Sequence, residues 1–228
     1  CPASCTNTSI SKIIIKIMSL EEQISAVISA LPPSSLSEEV QLAFIKKCGN
    51  AIEFLYKNKI IPSLEVRLAA VKKNGCALQH FPSEFRSEQI CLAAVEQDGR
   101  AIQYVPEELQ TEEIQLAAVE QDGRAIQYFY WTGIIPSEAV KLAAVKSNGH
   151  ALEFIPASSF SEQICLTAVE QHGGAIQYVP HHFLSEQICL AAVKQDGYAI
   201  MYIPKELQTE EVQLAAVKQN SRVTRFIK

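Results

Sequence analysis

Seven cysteines and five histidines are the side chains of this sequence that could ligate a metal or attack a substrate. His172, His181 and His182 lie near Cys165 in the sequence, but the four residues lack the ligand spacing of a zinc site. We therefore interpret the histidines as surface loop residues and expect no bound metal. No histidine recurs as a fixed partner of a cysteine, so the pattern does not favour a catalytic thiol.

The cysteines themselves follow a pattern of duplication. Their number is odd, and the chain is long enough to build a core without disulfides. We expect reduced thiols in a cytosol-like compartment, with no disulfide among Cys48, Cys76, Cys91, Cys165 and Cys189. The last three occupy one position of a repeat, and long polar side chains share that position. We expect it to be half-buried; its polar members are Gln41, Arg67, Gln115, Lys141 and Gln213.

Other kinds of chemistry are not indicated. Carboxylate pairs such as Glu107-Glu108 and Glu112-Glu113 recur with the repeat, as charges in helical first turns do. Phosphate-binding loops, serine nucleophile elbows and HExxH motifs are missing from the sequence. We therefore expect neither an enzyme nor a cofactor. The net charge of −5 and the scattered basic residues argue against nucleic-acid binding, and the apolar run from Ile13 to Leu20 is too short for a membrane span.

A tandem repeat organises most of the chain. The thirteen residues of Leu92–Tyr104 read LAAVEQDGRAIQY, and Leu116–Tyr128 is identical to them. The leading leucine recurs every 24 to 26 residues, at Leu42, Leu68, Leu92, Leu116, Leu142, Leu166, Leu190 and Leu214. The two longer copies carry similar insertions, Tyr56–Pro62 and Tyr130–Pro136, which lie 74 residues apart. This spacing indicates that a block of three repeats was duplicated.

Each repeat is predicted to contain two helices. Ser87 is a favourable N-cap for an alanine-rich helix. Gly99 then suits the left-handed residue just past a helix, so we expect a positive φ at this glycine and at its equivalents. A second, shorter helix follows and ends before Pro106, since the residue preceding a proline avoids helical geometry. Pro106 can itself begin one further turn.

Neither helix can bury its apolar face within one repeat, so the copies must stack. We expect an all-α protein, a right-handed α-solenoid of about eight two-helix repeats of 24–26 residues. Residues 1–36 are predicted to form a tail and an N-terminal capping helix stopped by Pro32-Pro33. Residues 37–228 form the repeat array as a single domain, which we expect to be an elongated monomer.

The repeat also resembles a known family. The string L-A-A-V-x-Q-D/N-G-x-A-I-x-Y, closing on proline and restarting at S/T-E, resembles the bacterial repeat family known as domain of unknown function 4116 in all eight copies. The resemblance implies the recognition part of a secreted bacterial effector, delivered into a host cell and acting there on a protein partner. That family has no assigned activity, so no catalytic residues can be carried over.

Two columns of the repeat vary in chemistry while their neighbours hardly change. The residue after each repeat glycine is Asn50, Cys76, Arg100, Arg124, His150, Gly174, Tyr198 or Arg222. The companion column is Glu53, Gln79, Gln103, Gln127, Glu153, Gln177, Met201 and Arg225. These positions are either neutral solvent positions or a recognition strip for a protein partner. A third column is aromatic and is predicted to be a core spine: Phe54, His80, Tyr104, Tyr128, Phe154, Tyr178, Tyr202 and Phe226.

The second insertion adds a cluster of aromatic residues. Tyr128 should be buried with the aromatic column, and Phe129 should pack as Val105 does in a shorter copy. Tyr130 and Trp131 are predicted to lie in a widened loop, where Trp131 either docks a partner or folds back to fill the gap. The candidate partner-binding residues are Arg100, Arg124, His150, Tyr198, Arg222, Gln103, Gln127, Gln177, Tyr130 and Trp131. The alternative function is a non-catalytic scaffold segment of a larger effector enzyme whose catalytic domain lies outside this chain.

Overall fold

A computed structural model describes residues 20–30 and 36–227 of the chain, and every regular element in these two ranges is helical. The first is α1 (Leu20–Ala30), within the segment predicted to form a capping helix. The predicted stop at Pro32-Pro33 and the residues Cys1 and Cys5 lie outside the described residues. An all-α fold built from repeated helices is therefore confirmed for the described chain.

Ten-residue α-helices form the regular framework of the repeats. There are eight in the described ranges: α2 (Glu38–Lys47), α4 (Leu64–Lys73), α5 (Glu88–Gln97), α6 (Glu112–Gln121), α8 (Glu138–Ser147), α9 (Glu162–Gln171), α10 (Glu186–Gln195) and α11 (Glu210–Gln219). Serine or threonine caps most of them, as predicted. The Ser161 hydroxyl, for example, accepts a hydrogen bond of 3.3 Å from the Ile164 backbone N–H.

The second segment of most repeats is a 3₁₀-helix rather than an α-helix. Such helices cover Gly75–His80, Gly99–Tyr104, Gly149–Phe154, Gly173–Tyr178, Gly197–Tyr202 and Ser221–Phe226. In the two longer copies this segment contains an α-helix instead, α3 (Ala51–Lys57) or α7 (Ile126–Thr132). Proline closely follows most of the short segments and excludes α-helical geometry before it, whereas the insertions displace the proline and leave room for a full α-turn.

A further short turn follows the proline in the shorter copies, as the sequence predicted. Three-residue 3₁₀-helices form at Ser83–Phe85, Glu107–Leu109, Ala157–Ser159, His181–Phe183 and Lys205–Leu207. Each connects one repeat to the helix of the next.

The prediction of positive φ at the repeat glycines is wrong. Among the described residues, only Gly133 (83°) and Lys59 (58°) have a positive φ. The repeat glycine is needed for space instead. A Cβ atom at Gly173 would lie 2.4 Å from the carbonyl oxygen of Ala192 in the following repeat, a distance that real contacts do not show. The glycine therefore allows the backbones of consecutive repeats to approach closely.

The residue before that glycine caps the 3₁₀-helix. Asp122 is extended, with φ −144° and ψ 107°, and its Oδ1 accepts from the Arg124 backbone N–H at 3.0 Å. Asp196 and Asn220 make the same bond in their repeats. The Asp or Asn thus has two roles: it ends the first helix, where the Asp122 N–H donates to the Ala118 carbonyl oxygen at 3.0 Å, and its side chain caps the start of the second.

The helices form two compact units. The first runs to Gln97 and includes Tyr104–Pro106; the second comprises Asp98–Gln103 and the residues from Glu107 onward. In the first unit α4 packs between α2 and α5, and α1 packs on α3. In the second unit α6, α8, α9, α10 and α11 pack side by side in chain order. The handedness of stacking, the number of repeats and the division at residue 36 stay predictions.

The core is lined by small and branched apolar side chains. In the repeat of α5, the side chains of Ile90, Ala94 and Val95 are fully buried, and so is Ile102 of the 3₁₀-helix that follows. The aromatic column is not the predicted core spine, because Tyr202 is 50% exposed and the other members of the column are half-buried. A 3₁₀-helix repeats every three residues, so Ile102 and Val105 share the buried side, and the two residues between them, Gln103 and Tyr104, are turned away.

Candidate functional site

Three candidate residues, Arg124, Gln127 and Trp131, come together around α7 with Tyr128 of the aromatic column. Arg124, Gln127, Tyr128 and Trp131 are spaced three, four and seven residues from the first, which places them on one helical face. The Gln127 amide donates to the Arg124 carbonyl oxygen at 3.0 Å. The rings of Tyr128 and Trp131 meet edge to face, with centroids 5.2 Å apart. We call these four residues the Arg–Trp face.

The two aromatic residues of the insertion, Tyr130 and Trp131, differ in their exposure to solvent. Trp131 is 72% exposed, while Tyr130 is half-buried and its hydroxyl is withdrawn from solvent, so that burial raises its pKa. Both lie in α7 and not in a loop, which corrects the prediction; α7 ends at Gly133, whose φ of 83° suits a left-handed C-cap. Phe129 is fully buried, as predicted. Tyr130 therefore fills the gap, and the side chain of Trp131 is left at the surface.

The first insertion repeats this arrangement. Tyr56, the equivalent of Tyr130, stacks on Phe85 with centroids 5.7 Å apart and meets Phe81 edge to face. Burial raises the pKa of Tyr56 to about 12. A buried tyrosine is thus the common element of both longer copies. Lys57 stands in place of Trp131 and forms an ion pair with Glu53.

The remaining candidates are distributed along the second unit. Arg100 is exposed, but its guanidinium makes two bonds to the carboxylate of Asp98, of 2.7 and 3.0 Å. Arg222 is exposed, and Tyr198 is half-buried with its ring 6.3 Å from that of Phe226. Gln103 and Gln177 are exposed too, and Gln103 donates to the carbonyl of Arg100 just as Gln127 does to that of Arg124.

His150 has a partner that sequence reasoning missed. Its ring lies 4.1 Å from the ring of His172 in the next repeat, centroid to centroid. Burial and the nearby His150 lower the pKa of His172. The position of His172 is that of the capping Asp or Asn, and its imidazole leans over Gly174, where a Cβ would lie 3.0 Å from Nε2. The strip is interrupted here, because Gly174 is buried and offers no side chain.

The side chains considered as metal ligands lie in different surroundings. His181 and His182 are exposed, and His181 Nε2 is 3.4 Å from the Glu206 carboxylate. Cys165 is fully buried in α9. Within the described residues no three His, Cys, Asp or Glu side chains converge as metal ligands. None of the described helices is long and apolar enough to cross a bilayer.

The cysteine column is more buried than expected. Cys91, Cys165 and Cys189 have no exposed surface, whereas the polar members of the column are half-buried apart from Gln41, which is 9% exposed. Cysteine is small and apolar enough to be enclosed completely, and the longer polar chains reach outward from the same position. Burial raises the pKa of each of the three thiols to about 11. A protonated, enclosed thiol is a poor nucleophile.

These thiols predict how stability depends on alkaline pH. A raised pKa in the folded state means that folding favours the thiol form, an advantage that is complete below the ordinary value of 9.0 and is lost as the pH rises towards 11. We expect the free energy of unfolding to fall more steeply between pH 9 and 11 in the wild type than in a Cys91→Ala, Cys165→Ala, Cys189→Ala variant. When the free energy of unfolding, measured with urea, is plotted against pH, the slopes of the two proteins should differ by the equivalent of about three bound protons. Equal slopes would contradict this account.

A glutamine at the end of the long helix links consecutive repeats. The Gln195 side-chain oxygen accepts from the Gly173 backbone N–H at 2.5 Å, and its amide nitrogen donates to the Gln171 carbonyl at 3.4 Å. The same glycine bond is made by Gln97, Gln121, Gln171 and Gln219. Sequence reasoning missed it, although the fixed spacing of 22 residues between Gly and Gln was a visible signal.

The glutamine bond should contribute measurably to stability. Gln195→Ala leaves the buried Gly173 N–H without its acceptor, so we expect a loss of about 1–3 kcal/mol of unfolding free energy. Gln177→Ala is the matched control, since Gln177 is exposed and should change stability by less than about 0.5 kcal/mol. Chemical denaturation of both variants measures the difference, and similar losses would show that the bond is not important.

Comparison with known proteins identifies the repeats. The model of the family described as Domain of unknown function (DUF4116) matches three times, at residues 63–110, 161–208 and 185–228. No curated protein and no solved structure matches the chain. The three matches together span about half of the chain and cover repeats in both compact units. With its repeated helices and its recurring glycine and glutamine contacts, the chain belongs to the domain of unknown function 4116 family.

Proposed function

We propose that this chain is a protein-binding repeat module that uses the Arg–Trp face as its principal contact. The observation that carries the proposal is the exposure of Trp131, which is 72% accessible although the neighbouring Tyr130 already fills the gap of the insertion. Tryptophan, tyrosine and arginine are the residue types that dominate the energetics of protein interfaces. A large aromatic side chain that is mostly exposed, and that meets Tyr128 edge to face, is well placed to dock a partner.

The geometry favours one face over a uniform strip. Arg124 is exposed next to the Tyr128–Trp131 pair, whereas Arg100 is neutralised by Asp98 and Gly174 interrupts the column. We infer that Arg124 and Trp131 supply most of the binding energy. His150, Tyr198, Arg222 and the exposed glutamines would extend the contact along the second unit.

The setting of this function is proposed as a host cell. The family resemblance suggests the recognition part of a secreted bacterial effector, acting as a monomer on a host protein. The buried, protonated thiols of Cys91, Cys165 and Cys189 are compatible with a reducing compartment. A partner should therefore be sought in a lysate of host cells.

Affinity capture from host-cell lysate tests the proposal. A partner bound through the Arg–Trp face should be recovered with the wild type and lost with Arg124→Glu and with Trp131→Ala. Lys205→Glu is the matched control, because it makes the same charge reversal at an exposed lysine of a connecting turn. Mass spectrometry identifies the proteins that follow this pattern. If every captured protein binds all four forms equally, the face is not the binding site.

A further inference from the structure

A second surface of the repeats, formed by the long helices, carries an apolar groove. Between α9 and α10 the groove has a volume of about 700 Å³ and is floored by Leu166, Leu190 and Ala191. These leucines are the anchor residues of the repeat, yet they are half-buried rather than enclosed. Leu214, the equivalent in α11, is 67% exposed. We call the groove between α9 and α10, together with the exposed Leu214 on the adjoining α11, the leucine groove.

The groove has charged margins of different sign. Glu186 lines it at the start of α10, and Lys194 lines it near the end of that helix. Glu162 and Lys218 occupy the corresponding margins on the neighbouring helices, while Glu170 is an acidic exception on the lysine side. The first-turn glutamates are held in place from the next repeat, since the Thr209 hydroxyl donates to Glu186 at 2.8 Å.

The same arrangement recurs in the first unit. A groove of about 510 Å³ on α4 is lined by Leu64, Leu68 and Ala69, with Glu65 at one margin and Lys72 at the other. The apolar floor and its charged margins therefore recur with the repeat and are not confined to one irregular place.

The spacing of the leucines favours an α-helix over a β-strand as the bound segment. The long helices pack side by side, so their axes are about 8–10 Å apart. Seven residues of an α-helix advance about 10.5 Å, so a helix laid along the row of leucines presents one side chain close to each of them. A β-strand repeats its face about every 6.8 Å and cannot match this step.

From this geometry we propose that the leucine groove binds an amphipathic helix of a protein partner. The helix carries a large apolar side chain at every seventh residue, basic residues on the flank facing Glu162 and Glu186, and acidic residues on the flank facing Lys194 and Lys218. The apolar contact supplies most of the affinity and the flanking charges set the orientation. This surface shares no residue with the Arg–Trp face, so either can fail without the other.

A synthetic peptide tests the groove directly. The probe is a fluorescent 21-residue helix with leucine at every seventh position, alanine beside the leucines, lysine on one flank and glutamate on the other. Fluorescence anisotropy with the whole chain should give saturable binding, weakened at least about tenfold by Leu190→Gln and by Leu214→Gln. Leu214 is largely exposed, so its variant should stay folded, which circular dichroism verifies.

Charge reversal provides the second arm. Lys194→Glu with Lys218→Glu makes both margins acidic, so the probe should bind about fivefold more weakly. A peptide with lysine on both flanks should instead bind this variant more tightly than the wild type. Equal binding of a scrambled peptide, no saturation below about 1 mM, or insensitivity to both leucine variants would overturn the proposal. A concentration-dependent dimer abolished by Leu214→Gln would assign the groove to a second copy and overturn it as well.

Discussion

Gly173→Ala should unfold at a temperature at least about 6 °C below that of the wild type. The added methyl group would meet the Ala192 carbonyl oxygen at 2.4 Å and the Gln195 side-chain oxygen at 2.9 Å, so the next repeat must move away. Overpacking of this kind costs about 1–3 kcal/mol, and we expect the upper end because the obstructing atom is backbone. For a domain of this size each kcal/mol lowers the melting temperature by about 2–4 °C.

The adjacent glycine is the matched control for this prediction. A methyl group at Gly174 meets only the imidazole of His172, with the nearest atom at 3.0 Å, and a side chain can yield where a carbonyl group cannot. Gly174→Ala should therefore stay within about 2 °C of the wild type. Thermal unfolding followed by circular dichroism measures both variants. If Gly174→Ala proved as damaging as Gly173→Ala, the close approach of the repeats would not explain the glycine.

Tyr130→Ala should destabilise the chain strongly, while Trp131→Ala should not. Tyr130 is half-buried with its hydroxyl enclosed, and its loss leaves a cavity that costs about 2–4 kcal/mol. Trp131 is 72% exposed and contacts Tyr128 by its edge, so we expect a change below about 1 kcal/mol. The larger of the two side chains thus contributes less to folding.

Denaturant unfolding of the two variants decides whether Trp131 is free to dock a partner or is needed to fill the gap at this insertion. Tyr56→Ala serves as an internal control, because Tyr56 has the same position and a buried hydroxyl in the first longer copy. It should resemble Tyr130→Ala. A large loss of stability in Trp131→Ala would remove the main reason to regard this residue as a binding residue.

The long helices could be predicted from local signals alone. Ser87 and its equivalents mark each start, and alanine-rich segments without alternation exclude strands. The second helix could not be assigned as 3₁₀ in the same way. Proline follows most of these segments closely, yet Ser221–Phe226 is also a 3₁₀-helix although neither of the next two residues is proline.

The repeat glycine shows why one residue type can mislead. Glycine serves equally for a left-handed turn and for a close approach of two backbones, and only a contact between repeats distinguishes these roles. The preceding Asp or Asn was the available signal, since it caps the residue two positions later, as Asp122 does for Arg124. For the insertion, helical periodicity from Ile126 already places Tyr130 on the buried side and Trp131 on the opposite one.

The glutamine bond between repeats is absent from two of the described junctions, and both follow an insertion. Lys73 and Ser147 occupy the glutamine position there. Asn74 instead donates to the Asn50 side chain at 2.8 Å, and the Ser147 hydroxyl donates to the Glu120 carbonyl at 3.3 Å. If a single repeat were inserted at one of these two junctions, its side chains would not match the contacts that the neighbouring repeat makes there. A block of three repeats carries both kinds of junction in register, so an array that gains 74 residues at a time keeps these contacts unchanged.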